Sequence, residues 1–316
     1  MMEARVKPKK SKLKRLLVIA KKNWVIALLA APFLVMFAVF FVYPLFYGAY
    51  ISLFKWNLFD SSASVFVGLE NYQKILFGVG EITLWSQYFW NALKNTLIFV
   101  VFSVFLLITI PLFIAILLDL EPRFYKLFRV LFFLPTILSV SAVAIIFKWQ
   151  FDTNNGFVNA FIELFGFDRV SWLNSQPGAW IAILVTTVWW TIGTNTVIFS
   201  AGLKEVDKQM YEAAELEGCN YPQVLWYISL PSIRPQMFLA MINTTIASFG
   251  IYGQAEILTA GGPDRSTTVM MMVIRGLLTG ANAQPGLATA MAILFGLLIM
   301  AVGSAQAIYN KKKGAA

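Results

Sequence analysis

Six stretches of this chain are apolar for too long to belong to a soluble protein. They run at about Trp24–Leu45, Leu93–Leu118, Val130–Phe147, Ala179–Leu203, Met237–Leu258 and Leu287–Tyr309. A helix rising about 1.5 Å per residue needs about 20 apolar residues to cross a hydrocarbon core about 30 Å thick. In lipid every backbone polar group must be satisfied internally, so runs of this length read as helices. The expectation is an all-α membrane protein of six transmembrane helices, with no soluble domain of its own. Composition agrees, at 59% hydrophobic and 13% charged residues, against about 45–50% and about 25% in soluble domains.

Positive charge sorts by loop. Nine lysines and arginines, from Arg5 to Lys22, precede the first run. Arg123, Lys126 and Arg129 follow the second, Lys204, Lys208 and Arg234 follow the fourth, and Lys311, Lys312 and Lys313 close the chain. The alternate loops and their edges hold fewer: Lys55, Lys74, Lys94, Lys148, Arg169, Arg265 and Arg275. By the positive-inside rule both termini are cytoplasmic. Segment 1–23 is then a basic cytoplasmic tail. It is either a solvated topogenic segment or, through the apolar patch at Arg15–Ala20, an interfacial helix on anionic lipid. The first run exceeds a signal-peptide core of about 7–15 residues and lacks a small-residue cleavage site after it, so it is expected to be retained. Residues 24–316 form the transmembrane domain, with a cytoplasmic loop at 204–235.

Several chemistries are excluded. The chain has no histidine, which removes the commonest general base and nitrogen metal ligand. Cys219 is its only cysteine, so no internal disulfide can form. No Gly-Lys dipeptide exists, so there is no P-loop to hold a nucleotide's phosphates. No metal-ligand cluster or nucleophile–base pair is visible, and the basic residues lack the groove context of nucleic-acid binding. Catalytic residues, metal and bound cofactor are all expected to be none. The span interiors contain no Asp, Glu, Lys or Arg, with Lys94, Asp119, Lys148 and Glu256 at their edges or just beyond, whereas a proton- or sodium-driven transporter normally keeps ionisable groups inside. That points to an uncharged cargo and an external source of energy.

The loop at 204–235 has structure of its own. Asp207 is placed as an N-cap, and Val206 can staple onto Tyr211. Met210, Ala213, Ala214 and Glu217 recur at helical spacing, while Lys208, Glu212 and Glu215 turn the other way. The two alanines leave a smooth face that a partner backbone can approach. Gly218 can take the left-handed conformation that ends helices. Pro222 opens a second amphipathic stretch, and Pro231 and Pro235 mark re-entry into the membrane.

Glu212-Ala213-Ala214, three residues, Gly218, nine residues, then Ile228-x-Leu230-Pro231 resembles the EAA motif of ABC-importer permeases at every spaced position. Gly68-Leu69-Glu70-Asn71-Tyr72 and Leu258-Thr259-Ala260-Gly261-Gly262-Pro263, followed by Thr267-Thr268, resemble two further segments of the maltose-type, carbohydrate-uptake permeases. Cys219 departs from the alanine usual there, and both are small. The resemblance covers nearly the whole chain and implies the type I importer permease fold. It implies a second permease subunit, often non-identical, two copies of a cytosolic ABC ATPase carrying ATP and magnesium, and an extracytoplasmic solute-binding protein. Coupling to the ATPase falls to Glu212, Ala213, Ala214 and Gly218. The loop carrying Gly261, Gly262 and Pro263 faces the binding protein. The location implied is a bacterial or archaeal cytoplasmic membrane.

The fourth and fifth runs are rich in neutral polar groups and aromatics. Hydroxyls and amides exchange hydrogen bonds with sugar hydroxyls, and aromatic faces pack on sugar rings. The same residue types also serve helix packing. In the family the corresponding spans line the pathway, which marks Thr187, Trp190, Thr191, Thr194, Ser248 and Tyr252 as the substrate path. A neutral sugar or oligosaccharide is the expected cargo. Glycerol 3-phosphate, another polar solute, or an ion-coupled mechanism are the alternatives. An anion would favour arginine or lysine along the path, and the spans offer none.

Overall fold

The computed structural model describes residues 24–58, 61–78, 84–279 and 283–314. The basic tail 1–23, with its apolar patch at 15–20, lies outside the described residues. Among the described residues four helices are long and apolar enough to cross a membrane, and a fifth crossing would be a bent pair. The first, Leu28–Ile51, combines α1 (Trp24–Phe37), a π turn at Ala38–Val42 and α2 (Tyr43–Ile51). The π turn sits just before Pro44, whose missing N–H interrupts the regular ladder. A short antiparallel hairpin follows, β1 (Phe54–Lys55) with β2 (Val65–Phe66), and then α3 (Glu70–Phe77). The second crossing, α4 (Leu84–Asp119), has 36 residues. At about 1.5 Å each it is far longer than the hydrocarbon core, so its ends stand beyond the lipid.

The third crossing is not the single helix expected at 130–147. It consists of α5 (Tyr125–Phe133), a 3-10 turn at Leu134–Ile137 and α6 (Val140–Gln150), and the halves meet at 102°. Pro135 opens the 3-10 turn, where its missing N–H is harmless. Ser139 then restarts the chain as the N-cap of α6, its hydroxyl accepting the Ala142 N–H at 3.3 Å. A short α7 (Phe157–Glu163) precedes α8 (Gly178–Lys204), which packs into this bend. Gly193 permits the approach, since a Cβ there would stand 2.4 Å from the Phe132 carbonyl oxygen.

The 204–235 loop carries α9 (Lys208–Leu216), α10 (Tyr221–Val224), a π turn at Leu225–Ser229 and α11 (Leu230–Ser232). The fifth expected run is also broken, into α12 (Arg234–Phe249) and α13 (Gly253–Thr259), parted at Gly250–Tyr252. Then come α14 (Met270–Gly276) and the last long helix, α15 (Pro285–Gly314).

Three apolar clusters hold the bundle. Ile75, Phe89, Phe249, Met270, Met291 and Phe295 join α3, α4, α12, α14 and α15. Phe99, Ile183, Ala255 and Leu258 join α4, α8 and α13. Ala115, Phe199, Leu203, Ile233 and Ala240 join α4, α8 and α12 near the 204–235 loop.

The long loops on the other side owe their shape to buried amides. Asn71 donates to the carbonyls of Ser52 at 2.8 Å and Phe54 at 3.0 Å, and the Tyr72 hydroxyl meets Ser52 at 2.7 Å. Asn159 donates to Thr153 and Val170 and accepts from the Trp172 indole at 2.9 Å. Both are anchors of the chain's own backbone. Asn71→Ala is expected to lower stability by about 1–3 kcal/mol, since two buried carbonyls lose their donor. Thermal unfolding of the purified subunit checks this.

Candidate functional site

A cavity of about 860 Å³ lies where α8, α12 and the broken segment at Gly250–Tyr252 face α4 and α6. Thr187, Trp190, Thr191, Thr194, Ser248 and Tyr252 all line it. They converge because α8 presents Thr187, Thr191 and Thr194 at helical spacing, while the break after α12 turns Tyr252 inward. Asn195, Asn243, Thr244 and Gln254 add amides and a hydroxyl to the wall, and Phe99 and Ile251 add apolar surface. The volume and mixed lining suit a small polar ligand with apolar faces.

Hydrogen bonds already made limit what each group offers. Thr187 and Thr191 donate to the carbonyls of Ile183 and Thr187, both at 2.8 Å, so toward the cavity their hydroxyls are acceptors. The Trp190 indole N–H is held by the Leu138 carbonyl at 3.0 Å, at the bend between α5 and α6. Its ring is therefore fixed in orientation. Ser248 accepts from Ser103 at 3.0 Å and keeps its own proton to give. Asn195 donates to Leu107 O at 2.7 Å and to Thr244 Oγ1 at 2.9 Å, tying α4, α8 and α12 together in the cavity wall. The Tyr252 hydroxyl is buried with no partner.

The wall is not uncharged, contrary to the sequence expectation. Glu256 on α13 and Arg275 on α14 both line the cavity, 3.9 Å apart. The Arg275 guanidinium lies over the Tyr252 ring, 5.1 Å from its centroid. Arg275 belongs to a connecting segment by charge and hydropathy, and only the packing of α14 against α4 and α15 brings it to the cavity. Glu256 does carry a signal, standing four residues after Tyr252 and so one helical turn along α13.

A second concavity, of about 460 Å³, is lined by Met210, Ala213, Ala214, Glu217, Cys219, Gln223, Val224, Tyr227 and Ile228. Asp207 caps α9 by accepting the Gln209 N–H at 3.0 Å. Gly218 ends it in the left-handed conformation at φ +74°, with Cys219 N–H reaching back to Ala214 O at 2.9 Å. Ala213 and Ala214 face the groove, whereas Glu212 points away from it and is exposed. The floor is connected to the bundle: the Tyr211 hydroxyl meets Ser229 at 3.0 Å, and Val206 and Tyr211 pack on Leu203 and Ile233. Burial raises the Tyr221 phenol above its ordinary pKa, with the nearby Asp119 charge adding to it. That hydroxyl therefore stays protonated at neutral pH.

The Gly261-Gly262-Pro263 turn lines neither concavity and is braced internally. Thr267 donates to Gly262 O at 2.7 Å, and Asn95 on α4 holds the carbonyls of Arg265 and Thr268, each at 3.0 Å.

A polytopic chain with a cavity of mixed polar and apolar lining between its helices, and short helices in a connecting loop, has the architecture of a membrane transport subunit. Residues 107–314 match the family of binding-protein-dependent transport system inner membrane components, and the chain belongs to it. Relatives include the sulfoquinovosyl glycerol transport system permease protein SmoG of Agrobacterium fabrum. It is 30% identical, over 78% of each chain. The multiple sugar-binding transport system permease protein MsmF of Streptococcus mutans is 29% identical, over 93% of this chain and 97% of its own. The fold is similar to that of a bacterial alginate ABC transporter solved with its alginate pentasaccharide-bound periplasmic protein. There the TM-score is 0.77 at 19% identity, covering 92% of this chain and 96% of that one. The type I permease fold is thus established for this chain, with its third and fifth crossings broken.

Proposed function

We propose that this subunit carries an uncharged sugar or oligosaccharide into the cytoplasm, through the cavity between α8 and α12. The carrying observation is the wall itself: hydroxyls, amides and aromatic rings from two crossings enclose about 860 Å³. A binding protein outside the cytoplasmic membrane delivers the sugar, and the Gly261-Gly262-Pro263 turn faces it. Both termini and the 204–235 loop lie in the cytoplasm. A second permease subunit completes the pathway, and two copies of a cytosolic ABC ATPase bind ATP and magnesium.

The groove along α9 receives the ATPase. Ala213 and Ala214 keep its wall low, and Gly218 lets the chain turn back beneath it. Movement of α9 passes through Tyr211–Ser229 and through Val206 and Ile233 to α8 and α12. Those two helices line the cavity, so closure of the ATPase pair alters its access. Glu212, exposed beside the groove, contacts the ATPase at the rim.

Arg275 on the wall favours a second reading, in which the cargo is glycerol 3-phosphate or another anion. Glu256 beside it opposes that reading. A thermal-shift screen of the cognate binding protein decides between them. A neutral saccharide that raises the unfolding temperature is expected; stabilisation by glycerol 3-phosphate alone contradicts the proposal.

A further inference from the structure

Glu256 and Arg275 come from different elements, α13 and α14, and meet on the cavity wall. Their 3.9 Å separation is well beyond the about 2.7–2.9 Å of a tight charge-assisted hydrogen bond. Both groups therefore keep hydrogen-bonding capacity. Their side chains are 40% and 61% accessible respectively, so neither is sealed in packing. The Tyr252 ring beneath Arg275 serves as a platform that sets the plane of the guanidinium. The Tyr252 hydroxyl itself is buried, so it is the ring and not the hydroxyl that meets the cavity beside Arg275.

We propose that Glu256 and Arg275, the latter seated over the Tyr252 ring, form a charge-neutral clamp for adjacent hydroxyl groups of an uncharged saccharide. It rests on the reading of the cavity as the substrate path. A carboxylate accepts from two neighbouring hydroxyls at once, and a guanidinium, which only donates, holds the oxygen lone pairs of the same pair or the next. The two charges sum to zero, so the site carries no net charge for a neutral ligand to compensate. An acidic sugar is drawn by Arg275 and repelled by Glu256 within one site. The Tyr252 ring acts by positioning the guanidinium, since its face nearest Arg275 is already covered.

The complete transporter in nanodiscs, observed by saturation-transfer-difference NMR, tests this with cellotriose as the neutral probe and trigalacturonate as the acidic one. Cellotriose is expected to give the stronger signal. Glu256→Gln and Arg275→Lys should each reduce it about tenfold, as loss of a hydrogen bond to a charged group implies. Their unfolding temperatures should stay near that of the unmodified protein. Arg275→Lys keeps the charge but loses the planar fork and its stacking, so a merely structural ion pair would tolerate it. The clamp is overturned by signals unchanged in both variants, by a stronger trigalacturonate signal, or by no cellotriose signal in the unmodified protein. Thr191→Trp, which puts a bulky ring into the cavity beside Trp190, separates the two ideas. If it abolishes a signal that the clamp variants leave intact, the cavity reading stands and the clamp fails. If it changes nothing, the cavity reading itself fails.

Discussion

Gly193→Val is expected to prevent stable folding of the subunit. At this position α8 lies directly on the bend between α5 and α6, and a Cβ would stand 2.4 Å from Phe132 O and 2.6 Å from Phe133 Cα. Both obstacles are backbone, so no rotamer change relieves them. Overpacking of this kind costs about 3 kcal/mol or more where the neighbours cannot shift. The bend cannot shift cheaply either, because Trp190, one turn earlier on α8, is hydrogen-bonded to Leu138 O in the same turn. The expected readout is loss of monodisperse protein in detergent, or a fall of many degrees in unfolding temperature. Gly296→Ala is the control, since a Cβ there meets nothing within 4 Å. Its unfolding temperature should be unchanged or slightly higher.

Gly218→Asp should leave the subunit folded and uncouple it. The residue sits at φ +74°, and a Cβ added there would meet nothing of this chain within 4 Å. Within the subunit the substitution costs about 1–2 kcal/mol of backbone strain. Its larger effect is on what enters the groove. A carboxylate would join Glu212, Glu215 and Glu217 at the turn under which the ATPase is proposed to lie. Loss of about 1.4 kcal/mol in docking is tenfold in the docking equilibrium constant, so uptake should fall about tenfold where the ATPase is not saturating, while the permease pair still purifies intact. Uptake that declines only in proportion to the folded permease would show that Gly218 serves α9 alone.

The sequence was most informative where one local property decides the structure. Length and hydropathy suffice for the crossings at Leu28–Ile51, Leu84–Asp119, Gly178–Lys204 and Pro285–Lys311, since lipid demands an unbroken apolar helix. Asp207 and Gly218 declared the ends of α9 because capping is chemistry between near neighbours. The broken crossings were only partly legible. Hydropathy records how willingly a residue leaves water, and it carries no direction. Pro135 interrupts the third run and can kink it, but the size of the turn, 102°, is set by packing, and Gly250–Tyr252 carries no comparable mark. Arg275 was hidden for a different reason. Its place on the cavity wall is set by α14 packing on distant helices, and nothing beside it in the chain reports that. The threonines of α8 were found by spacing, yet the bonds that Thr187 and Thr191 make to their own helix restrict them to accepting.

The central claim is that this cavity carries the cargo and that ATP hydrolysed by a partner drives it. Uptake into proteoliposomes holding the permease pair, the ATPase and the binding protein measures both halves together. Uptake is predicted to require ATP, to persist when proton and sodium gradients are collapsed, and to fall to background in Thr191→Trp. Uptake driven by an ion gradient without ATP, or left undiminished by a tryptophan ring set into the cavity wall, would contradict the account.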